Sequence, residues 1–171
     1  MLGFIETGEA ARMSTTQTGL AGEFYVLAQI AQRGLIGTLT LGNTKSVDIV
    51  VYNPDTSRFW RVEVKASRGA PKIERLFGAE ECYSWQMSEK HESIVHDDLL
   101  YIFVWLNDPS VLPKFFVVPS VAVAEYVAWE HNHWLHSPHK RPVKDMSLRR
   151  FRVPVSDPQR LSENWALFHA T

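Results

Sequence analysis

The chain has 171 residues, of which 45% are hydrophobic, and this predicts a globular domain with a hydrophobic core. Cys82 is the single cysteine, which excludes an intrachain disulfide and a cysteine-based zinc site and fits a reducing, cytoplasmic location. The sequence contains no uncharged apolar run long enough for a transmembrane helix and no visible secretory signal, so we expect no membrane contact.

The N-terminal residues carry no recognisable pattern, whereas the rest of the chain has the pattern of one folded unit. Residues 1–15 lack periodicity and predict a disordered or variable extension, in which Met13 is an alternative start to Met1. Residues 16–171 contain no internal repeat and no low-complexity tract, so we predict a single domain.

The predicted domain begins with a helix. Apolar residues recur at spacings of three and four over 18–34, and Gly34 is placed to end the helix. Strands are predicted at 35–41, 47–52, 58–66, 99–106 and 115–118. Residues 67–81 predict a long irregular loop, and a second helix is predicted from 121 to about 134, with Ser120 as its N-cap. This order indicates a mixed α/β domain.

Charged residues stand in two of the apolar strands. Asp48 opens one strand, and Glu63 and Lys65 lie two residues apart on the next, so their side chains share one face. If residues 54–57 form a four-residue hairpin loop, Asp48 lies opposite Glu63. Two opposed carboxylates repel each other, and a divalent cation bound between them removes the repulsion.

Oxygen ligands favour a hard cation, so we expect Mg²⁺ or Mn²⁺ at this position. The backbone carbonyl of Val64 lies between the two strand residues and is a third candidate ligand. Lys65 would hold the attacking water or stabilise negative charge on a scissile phosphate. Glu23 lies beside the apolar stripe of the first helix, and Gly19 and Gly22 before it would allow close approach to the sheet.

This order of residues resembles the PD-(D/E)XK nuclease superfamily, especially its restriction-endonuclease-like and Holliday-junction-resolvase-like groups. The resemblance covers residues 19–67, and Val47 stands where the motif has proline. It implies an α/β restriction-endonuclease-like core, with a mixed central sheet flanked by helices, and a Mg²⁺-dependent endonuclease that hydrolyses phosphodiester bonds in DNA. It implies catalytic roles for Glu23, Asp48, Glu63 and Lys65, with Glu23, Asp48, Glu63 and Val64 as metal ligands.

Basic residues are concentrated in the segment 139–152, where Asp145 is the one acid. A local cationic surface on a chain of net charge −1 predicts contacts with a nucleic-acid backbone. The alternative is a basic tail that pairs with the acidic segment 80–98. Ser67, two residues beyond Lys65, could also hydrogen-bond a phosphate. The candidate nucleic-acid-binding residues are Lys140, Arg141, Lys144, Arg149, Arg150, Arg152 and Ser67.

Other interpretations stay open from the sequence. The histidines between 131 and 139 could bind a metal, although no acidic or cysteine partner is evident nearby. Trp85, Trp129 and Trp134 could stack on bases, although aromatic residues at helical spacing usually pack in a core. The domain could bind nucleic acid or protein without cutting, or cut RNA. We also expect a homodimer, because one metal centre cuts one strand.

Overall fold

The computed structural model describes residues 13–41 and 47–170, apart from the side chain of Leu76. A five-stranded mixed sheet has the order β1-β2-β3-β6-β7, and a second sheet has the antiparallel order β4-β5-β8. The strands are β1 Ile36–Leu39, β2 Ile49–Asn53, β3 Arg58–Arg68, β4 Lys72–Ile73, β5 Glu81–Ser88, β6 Leu99–Leu106, β7 Lys114–Pro119 and β8 Leu148–Pro154. The helices are α1 Thr15–Gln32 and α2 Ser120–His136, with 3₁₀ helices at Arg75–Phe77, Glu89–Glu92 and Trp165–His169. The predicted mixed α/β class is confirmed.

Helix α1 begins three residues earlier than the apolar pattern predicts. Ser14 and Gln17 form a capping box, in which Gln17 N donates to Ser14 Oγ (3.2 Å) and Ser14 N donates to Gln17 Oε1 (2.8 Å). Gly34 follows the helix with φ +74°, a left-handed conformation that suits glycine, so the predicted end of the helix is confirmed.

Strands β2 and β3 form the predicted hairpin in the predicted register. Asn53 pairs with Arg58, and Ile49 pairs with Val62. The turn is held by Asn53, whose buried side-chain oxygen accepts from Asp55 N at 2.9 Å. The ladder ends at Ile49 and Val62, and Asp48, one position earlier, bonds to the backbone of Val62 and Val64, the two neighbours of Glu63.

Two hydrophobic cores lie on opposite faces of the five-stranded sheet. Val62 and Val64 of β3 join the core covered by α1 and by the C-terminal 3₁₀ helix. The second core contains Phe103 of β6 and is covered by the second sheet and α2. Every residue of β6 is buried, which confirms the predicted fully buried strand.

The second sheet was not predicted. Residues 67–81 contain β4 and a 3₁₀ turn rather than an unbroken loop, and the following eight residues form β5. In β5 the buried side chains of Tyr83, Trp85 and Met87 alternate with more exposed residues, a pattern typical of a half-buried strand. Part of the predicted basic tail, 148–154, is strand β8.

Helix α2 is also capped differently from the prediction. Pro119 is the N-cap residue, and the buried Ser120 hydroxyl instead bonds to the backbone of His96, donating to its carbonyl at 2.8 Å. Among the residues that the structure describes, no helix combines the length and apolar character needed to cross a membrane.

Candidate active site

Asp48 lies immediately before β2 and is bound to the backbone of β3. Its N–H donates to Val62 O at 2.8 Å, and its Oδ2 accepts from Val64 N at 2.7 Å. Both bonds reach the side of β3 that faces β2. Because the N–H and C=O of one strand residue point the same way, the Val64 carbonyl also faces the Asp48 side.

Glu63 is 3% exposed and lies on the opposite face of β3 from Val62 and Val64. Its Oε1 accepts from Lys65 Nζ and from His91 Nε2, the latter at 3.3 Å. Burial raises the pKa of Glu63, but the His91 and Lys65 interactions outweigh it and lower the pKa to about 2. Glu63 Oε2 is buried and has no hydrogen-bond partner among the described residues. A buried carboxylate oxygen without a partner is costly unless a cation or water satisfies it.

The pKa values of Asp48 and Glu23 are shifted in the opposite direction from that of Glu63, upwards from their ordinary values. Burial raises the pKa of Asp48, and the charge of Glu63 raises it further, against the lowering effects of the Val64 N–H, Lys65 and Lys90. Burial and the charge of Asp48 likewise raise the pKa of Glu23. The negative charges of Glu23, Asp48 and Glu63 therefore interact, which is the condition that a cation would relieve.

Helix α1 brings Glu23 close to the sheet through Gly22. A Cβ at Gly22 would lie 2.6 Å from the Cβ of Ala66 on β3, so only glycine permits this approach. Gly19 has nothing within 4 Å of its Cβ position, so the predicted role in close approach is confirmed for Gly22 and is wrong for Gly19.

His91 was missed by the sequence analysis. It is 3% exposed and lies in the 3₁₀ helix before β6. Its Nδ1 is 3.1 Å from Ser88 N and 2.9 Å from Ser88 O, and its Nε2 is 3.3 Å from Glu63 Oε1. Its ring lies edge-on to Tyr101, which neighbours Glu63 on β6. His91 and Glu63 are 28 positions apart in the sequence. The only pattern around His91 is a local capping box with Ser88, so no sequence signal links His91 to Glu63.

The sequence predicts three acidic side chains and the Val64 carbonyl as metal ligands. Among the described residues, there is no group of three or more histidine, cysteine or acidic side chains placed to hold one ion. Metal-ligand roles for Glu23, Asp48, Glu63 and Val64 therefore stay predictions, although the charge of Asp48 acts on Glu23 and the charge of Glu63 acts on Asp48. The unpartnered Oε2 of Glu63 is the observation that favours a cation.

Lys65 and Ser67 lie on the same face of β3 as Glu63, as predicted from their two-residue spacing. Both residues are partly exposed and line one groove at the end of β3. Lys65 is engaged by Glu63 and stays partly exposed.

The structure corrects the prediction for part of the basic segment. Arg149 is 4% exposed and Arg152 is 7% exposed. Arg149 forms an ion pair with Glu92, and Arg152 forms one with Glu130 and a longer one with Glu74 at 3.6 Å. These two guanidinium groups are held inside the protein and are withheld from a nucleic-acid backbone. Lys140, Arg141 and Lys144 are exposed and Arg150 is half-buried, and their role stays a prediction.

The other sequence candidates have structural explanations. His131 is buried and bonds to Asp145 Oδ1 at 2.7 Å, and the described histidines form no metal-binding group. Trp85 is buried in the second core, in line with the expected packing role. Trp129 departs from that expectation, because it is 53% exposed and stacks on His133 with an interplanar angle of 8°.

Comparisons with known proteins support the fold. No family model matches the chain, and no curated protein matches its sequence. Among solved structures, the chain is similar to a bacterial homing endonuclease, I-Ssp6803I, with a TM-score of 0.54 and 14% sequence identity. The similarity covers 91% of this chain and 93% of that chain. At this identity the likeness shows a shared mixed α/β fold over nearly the whole length of both chains.

Proposed function

We propose that this chain is a metal-dependent endonuclease of the PD-(D/E)XK type that hydrolyses phosphodiester bonds in DNA, with Mg²⁺ or Mn²⁺ as its cofactor. The observation that carries the proposal is the Asp48 carboxylate bonded to Val64 N, next to Glu63 and its partner Lys65, at one end of the β2–β3 hairpin. Likeness to a homing endonuclease in fold adds support, because DNA cleavage is the activity that the name of that protein states.

Each residue has a distinct role in the proposed reaction. Asp48, Glu63 and the Val64 carbonyl would hold the metal, which when bound supplies a more acidic water and a positive charge beside the phosphate. Lys65 stabilises the negative charge that grows on the phosphate oxygens during water attack. Glu23, whose pKa is raised by burial and by Asp48, helps to orient or deprotonate the attacking water.

His91 acts as a positioning residue for Glu63. Its Nε2–H and the Lys65 ammonium both bind Oε1, which leaves Oε2 as the oxygen that remains for a cation. A carboxylate fixed in this way is preorganised for one geometry, so the metal site does not depend on a free rotation of the side chain.

The test is cleavage by purified protein of plasmid, single-stranded DNA, branched DNA and RNA, each with Mg²⁺, Mn²⁺ or EDTA. We expect DNA cleavage with either metal and none in EDTA. Asp48→Asn and Glu63→Gln should both reduce the rate to background, because each removes a ligand charge. Asp98→Asn is the matched control, since Asp98 is an acid paired with Arg61 at 2.5 Å outside the metal site.

Cleavage that survives both ligand substitutions would show that the proposed site is not the catalyst. A protein that binds DNA but does not cut it under any metal condition would favour the alternative, a nuclease-fold binding module. Cleavage confined to RNA would redirect the proposal to an RNA-directed nuclease.

Cutting both strands of a duplex requires two such sites, and we propose that a second copy of the chain supplies the other. Strand β6 is buried inside the sheet, between β3 and β7, and is unavailable for a dimer contact. Light scattering at micromolar concentration measures the oligomeric state. A monomer would contradict the proposed dimer but would leave the proposed cleavage reaction at each site unaffected.

A further inference from the structure

A groove without any acidic residue runs along the end of β3. It starts at Lys65, the lysine of the candidate active site, and its other basic residues are Arg68, Lys72 and Arg150. In the described part of the chain, neither Asp nor Glu lines this groove. For a protein with 18 basic and 19 acidic residues, four basic side chains around one acid-free groove form a local positive surface.

The walls of the groove include β3, α1 and the strands β5 and β8 of the second sheet. Strand β3 pairs with β2 only as far as Val62. It then continues for six more residues, to Arg68. Thr15 places the first turn of α1 on the groove, and that turn contains no acidic residue, so the positive end of the helix dipole is not neutralised there. Gln86 of β5 pairs directly with Arg150 of β8, so both side chains point to the same side of the second sheet.

The cations of the groove are largely free to meet a ligand. Lys72 is exposed and Arg150 is half-buried, and neither forms an ion pair among the described residues. Arg68 is exposed and donates to the Met13 carbonyl, which leaves its positive charge without a counterion in the described structure. In this respect they differ from Arg149 and Arg152, whose charges are neutralised inside the protein.

The other cavities of the described structure contain acids. The cavity beside α2 is lined mainly by apolar and aromatic side chains and includes Glu125 and Asp157. A third cavity, which shares Arg68 with the groove, includes Asp108, and a fourth includes Glu130. Acids disfavour a phosphate, so the acid-free groove is better suited to a polyanion than these cavities.

From these observations we infer that the groove binds the phosphate backbone of the cleaved DNA strand, on one side of the scissile phosphate. This inference rests on the proposed function, and it identifies where the substrate lies. Arg68 lies three positions after Lys65 along the strand, a length of about 10 Å. That length corresponds to the rise of about three nucleotides in a duplex at 3.4 Å per step. The polar side chains of Ser67 and Gln86 provide additional hydrogen bonds to phosphate oxygens.

The experiment measures duplex binding in EDTA as a function of salt, so that it does not depend on cleavage. Lys72→Gln combined with Arg150→Gln removes two positive charges from the groove. Each lost phosphate contact flattens the log–log salt dependence by about 0.9, so we expect a decrease of up to about 1.8 in slope. Lys114→Gln combined with Arg160→Gln removes the same charge from two exposed positions outside the groove, and we expect a clearly smaller change.

A wild-type salt slope in the groove variant, or an equal change in both double variants, would overturn the inference. The single substitution Lys72→Gln guards against misfolding, because Lys72 is exposed on a two-residue edge strand, and it should flatten the slope by about 0.9. If the wild-type protein binds DNA through the groove but never cuts it, the proposed function is wrong and the inference about the groove is kept. If the protein cuts DNA but the groove variants bind it with the wild-type salt slope, the inference about the groove is wrong and the proposed function is kept.

Discussion

Asp48 and Glu63 lie side by side, yet the fold shifts their pKa values in opposite directions. Glu63 has two donors on Oε1, from Lys65 and His91, and its pKa falls to about 2. Asp48 has one backbone donor from Val64, but burial and the neighbouring carboxylate raise its pKa. The fold therefore stabilises the charge of Glu63 and disfavours the charge of Asp48, so the two acids contribute unequally to the metal-free protein.

We predict that Asp48→Asn raises the melting temperature in EDTA at pH 7, whereas Glu63→Gln lowers it. A change of about 1 kcal/mol corresponds to about 2–4 °C for a domain of this size. The Asp48 charge destabilises the fold once the group is ionised, so its removal relieves repulsion. Equal shifts of the same sign for both variants in thermal melts would contradict this assignment of roles.

The Glu63 effect has a defined pH window. Because its pKa is lower in the folded protein than the ordinary value of 4.5, its stabilisation is complete above about pH 4.5 and is lost as pH falls towards 2. The difference in melting temperature between wild type and Glu63→Gln should therefore shrink across that interval. A difference that stays constant down to pH 2 would show that lost packing, and not charge, explains the effect.

Asp48, Glu63 and Lys65 could be predicted from the sequence and His91 could not, for a physical reason. Asp48, Glu63 and Lys65 lie on adjacent strands joined by a short turn, so strand periodicity and loop length fix their relation. His91 reaches Glu63 from a 3₁₀ helix in the connection between the parallel strands β3 and β6. The path of such a connection depends on packing over the whole sheet, which no local spacing specifies.

At the scale of elements, the packing of α1 against β3 decides whether the Glu23 carboxylate lies near Asp48. The two elements come close at Gly22 and Ala66, on the face that carries Val64. The helix itself was predictable from its apolar spacing and from Gly34, but its tight contact with β3 follows from one residue without a side chain. Strand β4 was missed because it is only two residues long and follows Gly69 and Pro71, whereas β5 carries an alternation of Tyr83, Trp85 and Met87 that was overlooked.

We predict that Gly22→Ala lowers both stability and cleavage, because the new Cβ would lie 2.6 Å from the Cβ of Ala66 and would push α1 away from β3. Overpacking of this kind costs about 1–3 kcal/mol. Gly19→Ala is the matched control on the same helix, since nothing lies within 4 Å of its Cβ. It should stabilise the protein by about 0.5–1 kcal/mol through helix propensity. Denaturant melts and cleavage rates of the two variants distinguish these effects, and similar behaviour of both would contradict the close contact.

At the scale of the whole molecule, buried ion pairs attach the basic C-terminal segment to the rest of the domain. Arg152 of β8 pairs with Glu130 of α2, and its guanidinium lies 4.4 Å from the ring centre of Phe77. Arg149 of β8 pairs with Glu92 at the end of the 3₁₀ helix that contains His91. The net charge of the segment was visible in the sequence, but its division between buried pairs and exposed cations depends on long-range packing.

We predict that Arg149→Ala lowers stability by about 3–5 kcal/mol, because it leaves the Glu92 carboxylate without its partner at a partly buried position. The salt dependence of DNA binding should keep its wild-type slope, since Arg149 is not exposed to a phosphate backbone. Replacement of both partners, as Arg149→Met with Glu92→Leu, should recover most of the lost stability, because no charge then stays buried without a partner. Melting temperature and salt slope, both measured on the three variants, decide between an internal ion pair and a DNA contact. A flattened salt slope with an unchanged melting temperature in Arg149→Ala would place this arginine on the DNA after all.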